Sequence, residues 1–212
     1  MMETRFETYL EHLCSALGHA DRREGLRGYC RGLMLPLARK SVEPLAASID
    51  PHSVQARHQS LHHFVAKSDW SDTAILEKVG AWILPTMLRS VVERYWIIDD
   101  TGFPKKGKHS VGVARQYCGQ LGKQDNCQVA VSLSLATEVA SFPIAWRLYL
   151  PEAWAQDAKR RLRVGVPEAI QFQTKPEIAL AQVKTAQAAG TPGGIVLADA
   201  GYGNDTGFRD EL

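Results

Sequence analysis

A chain of 212 residues, 45% hydrophobic and 23% charged, has the make-up of a folded globular protein with one ordinary core and room for an accessory unit, which excludes wholesale disorder. Its net charge of +2 argues for no nucleic-acid partner by itself, so any such case rests on where the charges lie. No apolar run approaches the about 20 residues of a membrane span, and "MMETRFETYLEHL" lacks a secretory hydrophobic segment.

Residues 1–90 read as helical. Phe6, Leu10, Leu13 and Leu17 recur at helical spacing, with Gly18 as a stop, and a second helix is predicted over Arg22–Leu35, before Pro36. The stretch from Ser48 to Leu84 predicts two more. Ser53 is the expected cap of the first, with Leu61, Phe64 and Val65 near one face. Asp72 is the expected cap of the second, with Ile75, Val79, Trp82 and Ile83 inward. His58 and His62 are four apart, but no carboxylate completes an H-E-x-x-H pattern, so solvated or phosphate-facing histidines are the better reading. Arg22, Arg23, Arg27, Arg31, Arg39, Lys40 and Arg57 tint the region basic, as a DNA-contacting or an ordinary helical surface would be.

Beyond residue 90 the period changes. "YWIIDDT", "SVGVARQYCG", "NCQVAVSLSLAT" and "FPIAWRLYLP" read as β-segments joined by turns, which predicts an antiparallel meander. Helical sequence returns in "PEAWAQDAKRRLRVG" and "KPEIALAQVKTAQAAG". Pro176 suits a first helical turn and Gly190 a C-terminal cap. A last strand, "GGIVLADAGYG", runs into Asp199. The expected order is helices, β-β-β, α, β, with a helical unit over 1–90 and an α/β domain with a mixed sheet over 91–212. The cysteines Cys14, Cys30, Cys118 and Cys127 form no C-x-x-C pair, which disfavours a zinc site and suits a reducing cytoplasm.

The adjacent acids Asp99 and Asp100 follow an apolar strand, and Asp199 follows another. Carboxylates placed together repel unless a metal, a ligand or paired bases compensate. If the two strands are neighbours, Asp100 and Asp199 project from one sheet edge and make an oxygen-rich site for Mg²⁺ or Mn²⁺. Strand alternation turns Asp99 to the opposite face. The order β-β-β-α-β with acids on the first and fourth strands is that of a ribonuclease-H-like fold.

Between the acids, Lys105, Lys106, Lys108, Arg115 and Lys123 outnumber one acid, Asp125, over Thr101–Thr137. This pattern predicts a surface for phosphates, with the Gly102–His109 lysines beside the acidic edge; lysines guarding a sheet edge against aggregation are the plainer alternative.

The stretches "DDTGFPKKGKHSVGVARQYCGQLGKQDNCQVAVSLSLA", "WRLYLPEAW" and "ADAGYG" closely resemble DDE transposases of bacterial insertion sequences, in the group named after insertion sequence seven-oh-one. The resemblance covers most of the chain. It implies a ribonuclease-H-like domain that nicks transposon ends and joins them to target DNA with a divalent metal. It makes Asp199, in its D-x-G-Y pattern, the second catalytic acid. The first is Asp100, which precedes a threonine as in those transposases, with Asp99 in reserve. The family's third acid, a helical glutamate in a Y-x-x-R-x-x-x-E-type pattern, has no counterpart in the 13 residues after Asp199. The expectation is a front portion of a transposase, truncated before the third acid and inactive alone, and able to self-associate or pair with a full-length copy.

Two rival readings follow from the same residues. One is a non-catalytic DNA-binding or inhibitory protein derived from a transposase. The other is a haloacid-dehalogenase-type phosphotransferase, with Asp99 as nucleophile and Lys175 or Lys184 as phosphate-binding lysine; it needs a parallel sheet directly after "DDTG".

Overall fold

The computed structural model describes residues 2–89 and 92–212. It divides into two compact units, Met1–Thr86 and Met87–Leu212. The boundary expected between residues 90 and 91 lies outside the described residues.

The first unit is built from α1 (Met2–Cys14), α2 (Arg22–Met34), α3 (Val42–Ile49), α4 (Val54–Ala66) and α5 (Asp72–Met87), the last of which runs to its edge. The helical spacing read in the sequence is the buried stripe: Leu13, Cys14, Leu17, Leu26 and Phe64 form one cluster, and Leu45, Ala46 and Leu61 a second. Glycine lets α2 approach its neighbour. A methyl group at Gly25 would lie 2.6 Å from the Phe64 ring, so close packing offsets the roughly 1 kcal/mol of helix propensity that glycine gives up.

Three local expectations change. The eight-residue α3 was not predicted, because so short a segment shows barely two turns of periodicity; its Pro44 falls in the first turn, where no backbone bond is lost. Ser53 stands at the start of α4 without a capping hydrogen bond, and Val65 is exposed. Ser71 rather than Asp72 caps α5, its Oγ accepting from the Ala74 amide at 3.1 Å. Ile75, Val79, Trp82 and Ile83 are half-buried.

The second unit is a five-stranded mixed sheet. Its strands are β1 (Tyr95–Pro104), β2 (Ala114–Cys118), β3 (Lys123–Ala136), β4 (Ser141–Leu148) and β5 (Ile195–Ala198). The 14-residue β3 is the central element. It pairs antiparallel with β1 from Tyr95↔Ala136 to Pro104↔Cys127, with β2 over its first residues and with β4 over its last. Parallel pairing of β5 with β1 gives the order β4-β3-β1-β5, the ribonuclease-H-like arrangement expected. Four strands, not three, precede the helices, because "SVGVARQYCG" yields a short strand that pairs with β3 and leaves β1 to pair past it.

The sheet forms where the sequence is β-branched and aromatic. Trp96, Ile98, Val129, Val131, Leu133 and Leu135 are buried. The connection from β4 to β5 contains α6 (Glu152–Ala155), α7 (Ala158–Arg163) and α8 (Lys175–Ala188). The helix α8 packs on β3 and β4 through a face that includes Ile178, Ala179 and Val183. Its ends are well specified. Thr174 and Glu177 form a reciprocal capping box at the start. At the other end Gly190 adopts φ +72°, with the Thr191 amide bonded to Ala186 O at 3.0 Å and the Gly190 amide to Gln187 O at 2.9 Å, a closure that favours glycine.

Candidate active site at the end of the β1–β5 pair

The last residues paired between β1 and β5 are Ile98 and Ala198. Asp99, Asp100 and Asp199 therefore gather where β5 stops. The expectation that β1 also stops there is corrected: it runs on to Pro104 because β3 is long enough to pair all of it. At Gly102 a methyl group would come within 2.9 Å of Cys118 Sγ, so this glycine marks a close approach of two strands rather than a turn.

Asp100 lies opposite Val131, on the side of Trp96 and Ile98, and is partly buried. Both of its oxygens are engaged. Oδ1 accepts a hydrogen bond from the Tyr202 hydroxyl, and Oδ2 accepts from Lys175 Nζ. Asp99 is exposed, as alternation requires, and its Oδ1 accepts from the Asp100 amide at 2.8 Å.

Asp199 caps α9 (Ala200–Gly203). Its Oδ1 accepts from the amides of Gly201 at 2.8 Å and Tyr202 at 3.3 Å, while Oδ2 has no hydrogen-bond partner among the described residues. The turn then swings Tyr202 back beneath the sheet edge, where it is buried and meets Phe208 of α10 (Thr206–Glu211). Tyr202 thus touches both acids, one through its backbone and the other through its side chain.

Burial pushes the Tyr202 phenol well above its ordinary range. The hydrogen bond to Asp100 and that residue's charge add to the rise, and then the charges of Asp199 and Asp99. All three carboxylates are therefore within electrostatic reach of one hydroxyl, which stays a neutral donor.

Lys175, the first residue of α8, follows the Thr174 cap, and its ammonium lies 5.8 Å from the centre of the Tyr149 ring. The sequence reading gave Tyr202 no role, and gave Lys175 only that of a phosphate-binding lysine in the phosphotransferase alternative. Tyr202 is visible in D-A-G-Y only as a motif residue, and Lys175 stands 75 positions from the acid it meets.

The donor chemistry here suits a hard divalent cation: carboxylate oxygens, one of them uncommitted, and a second that already receives a cationic group. Asp100 and Asp199 are the residues that would hold it. Among the described residues no cluster of three or more His, Cys, Asp or Glu is placed to hold a metal. His58 and His62 stack with ring centres 6.1 Å apart and gain no third partner.

Lys105, Lys106 and Lys108 do not sit beside Asp100. Lys105 lies five positions further along the extended chain, a reach of about 16 Å, and the cation on the acid is Lys175. The loop is nonetheless held in place. Asn126 Nδ2 donates to Lys105 O at 2.6 Å and to Gly107 O at 2.9 Å, and Arg160 donates to Lys108 O at 2.6 Å. The three lysines are exposed. Arg115 is exposed on β2, and Lys123 is 3.2 Å from Asp125, which also feels Arg115.

In the helical unit much of the basic tint is spent internally. Arg23 pairs with Glu11 at 3.0 Å, Arg31 with Glu7 at 2.9 Å, and Arg27 with both Glu7 and Glu11. The phosphotransferase reading loses its footing in the sheet, where β1 runs antiparallel to β3. No described helix is long and apolar enough to cross a membrane.

Comparison with known proteins shows the family. The family model described as DDE superfamily endonuclease matches residues 12–212. A curated protein of Microchaete diplosiphon, described as a probable transposase for insertion sequence element IS701, is 34% identical over 187 residues. That alignment covers 85% of this chain and 44% of the relative, so the chain spans less than half of the relative's length.

Proposed function

The chain belongs to the DDE superfamily endonuclease family, and from that premise we propose that it is a transposase whose residues 1–212 carry two of the acids used in DNA strand cleavage and strand transfer. The observation that supports this reading is the convergence of Asp100 and Asp199 through Tyr202, at the end of the only parallel strand pair among the described residues. Asp99 remains the reserve first acid.

Each residue has a distinct task. Tyr202 fixes the rotamer of Asp100 by donating to Oδ1. The amides of the D-A-G-Y turn orient Asp199 and leave one of its oxygens uncommitted. Mg²⁺ or Mn²⁺ bound by these carboxylates would activate an attacking oxygen and neutralise charge on the phosphodiester. The exposed Lys105, Lys106 and Lys108 bind backbone phosphates without reading sequence, with Arg115 beside them; Lys123 contributes less because Asp125 shares its charge. The substrates in this reading are transposon ends and target DNA, and the protein works as an assembly of its own copies or with a longer relative.

A second reading draws on the lack of a three-carboxylate cluster among the described residues. In it, the 212-residue chain binds DNA or a full-length partner without turnover, and a further carboxylate from outside this chain completes the site.

An end-cleavage assay on cognate transposon ends with Mn²⁺ tests both. The 212-residue chain is compared with a chimera extended by the C-terminal part of the insertion-sequence relative. Binding without nicking by the short chain, and nicking by the extended one that Asp199→Ala abolishes, is the expected result. Nicking by the short chain that Asp199→Ala abolishes would overturn the need for a further acid. Nicking by the chimera that is unaffected by Asp100→Asn or Asp199→Ala would overturn the assignment of the site.

A further inference from the structure

Lys175 stands on the one oxygen of Asp100 that Tyr202 leaves open. Resting on the reading of Asp100 and Asp199 as metal ligands, we propose that Lys175 is a positioning residue that holds the cation seat on Asp100 and exchanges with the divalent ion when it binds.

Four observations carry this. First, Lys175 occupies the first position of α8, where the unbonded amides of the helix start make an ammonium unfavourable. Asp100 holds it there against that field. Second, the two side chains are 31% and 27% exposed, so water reaches the pair and lets it open. Third, Lys175 has no ion pair with Asp199 among the described residues. A divalent ion shared by both carboxylates gains a second anionic ligand that the monovalent ammonium lacks. Fourth, α8 does not depend on the ion pair. The Thr174–Glu177 capping box and the buried Ile178, Ala179 and Val183 hold the helix, so the lysine can leave while its backbone stays. The Tyr149 ring, 5.8 Å from Nζ, offers the freed ammonium a nearby resting face.

Lys175 thus neutralises Asp100 internally, and its tether keeps the ammonium close once a divalent ion has entered. That is where a cation can meet a phosphate of the substrate without travelling.

The test measures Mn²⁺ binding to the 212-residue chain by electron paramagnetic resonance, alongside mass-spectrometric labelling of lysine amines. Lys175→Met should tighten Mn²⁺ by about fivefold, the scale of a half-exposed ion pair. Lys175→Arg should restore wild-type affinity. Lys184→Met, farther along α8 and paired with Glu211, should leave affinity unchanged and so control for the general field. Labelling of Lys175 should rise on addition of Mn²⁺ in the wild type, and already be high without metal in Asp100→Asn. Unchanged or weaker binding by Lys175→Met, or labelling indifferent to Mn²⁺, would overturn the exchange. Should Lys175→Met fail to fold by circular dichroism, the wild-type labelling decides alone. If Asp100→Asn and Asp199→Ala bind Mn²⁺ as tightly as the wild type, the metal-site reading itself fails. If they bind weakly while Lys175→Met does not tighten binding, only the exchange fails.

Discussion

Tyr202 and Asp100 stand 102 positions apart in the chain and are joined by a hydrogen bond in which the phenol donates to a carboxylate oxygen. The donor is buried and its partner charged, a combination at the strong end of side-chain hydrogen bonds. Tyr202→Phe keeps the ring against Phe208 and deletes the bond alone. It should lower unfolding free energy by about 1–3 kcal/mol in urea titration, with the denaturant slope unchanged. A loss under about 0.5 kcal/mol would mean that water replaces the hydroxyl at no cost.

Asp199 has two separable properties, a capping oxygen and a charge. Asp199→Asn retains an acceptor for the Gly201 and Tyr202 amides and should change stability by less than about 0.5 kcal/mol. Asp199→Ala should cost about 1 kcal/mol. Both should weaken Mn²⁺ binding alike. Equal affinity in Asn and wild type would exclude this carboxylate from the metal site.

At Gly25 two backbone effects compete. Alanine raises helix propensity by about 1 kcal/mol, but its methyl would lie 2.6 Å from the Phe64 ring, an overlap costing typically 1–3 kcal/mol. Packing should win. Gly25→Ala should lower the melting temperature, and Phe64→Leu in the same chain should recover part of the loss.

The pinned lysine loop predicts a uniform effect on DNA. Replacing Lys105, Lys106 and Lys108 with alanine should weaken binding to unrelated duplexes alike and reduce the salt slope by about 2–3. Arg23→Ala should leave the slope unchanged, since Glu11 already holds that charge. Fluorescence anisotropy across a salt series measures both.

A pH dependence follows from Cys30. Burial, and then the neighbouring Cys14, push its thiol from 9.0 to about 11. The folded state therefore keeps a proton that the unfolded chain has already released. The stability this contributes is complete below pH 9.0 and is lost as the pH rises towards about 11. Urea midpoints should fall across that window in the wild type, and fall less in Cys30→Ala.

Much of this was open to local reading, and the failures share a cause. Alternation along Tyr95–Asp100 correctly set Asp99 and Asp100 on opposite faces, because a strand with one buried side leaves no freedom of register. Gly190 was legible as a cap because its backbone conformation is local. The length of β1 was not, since its apolar run ends at the acids and only pairing with β3 carries the strand on to Pro104. The contacts of Tyr202 and Lys175 with Asp100 were missed because a contact across 102 or 75 positions leaves no periodic trace. The pairing of Arg23, Arg27 and Arg31 with α1 was hidden for the same reason.

The strand β3 bonds to β1, β2 and β4 at once, and Asp100 is carried opposite its middle. Among the described residues, Asp199 follows a four-residue strand that pairs with β1 alone. Such unequal support makes one acid a fixed anchor and the other a compliant arm. Amide exchange should be slowest around Val131 and far faster around Leu197. A change in spacing between the two carboxylates during a reaction would then be a movement of Asp199 alone, with Asp100 as the stationary point of reference.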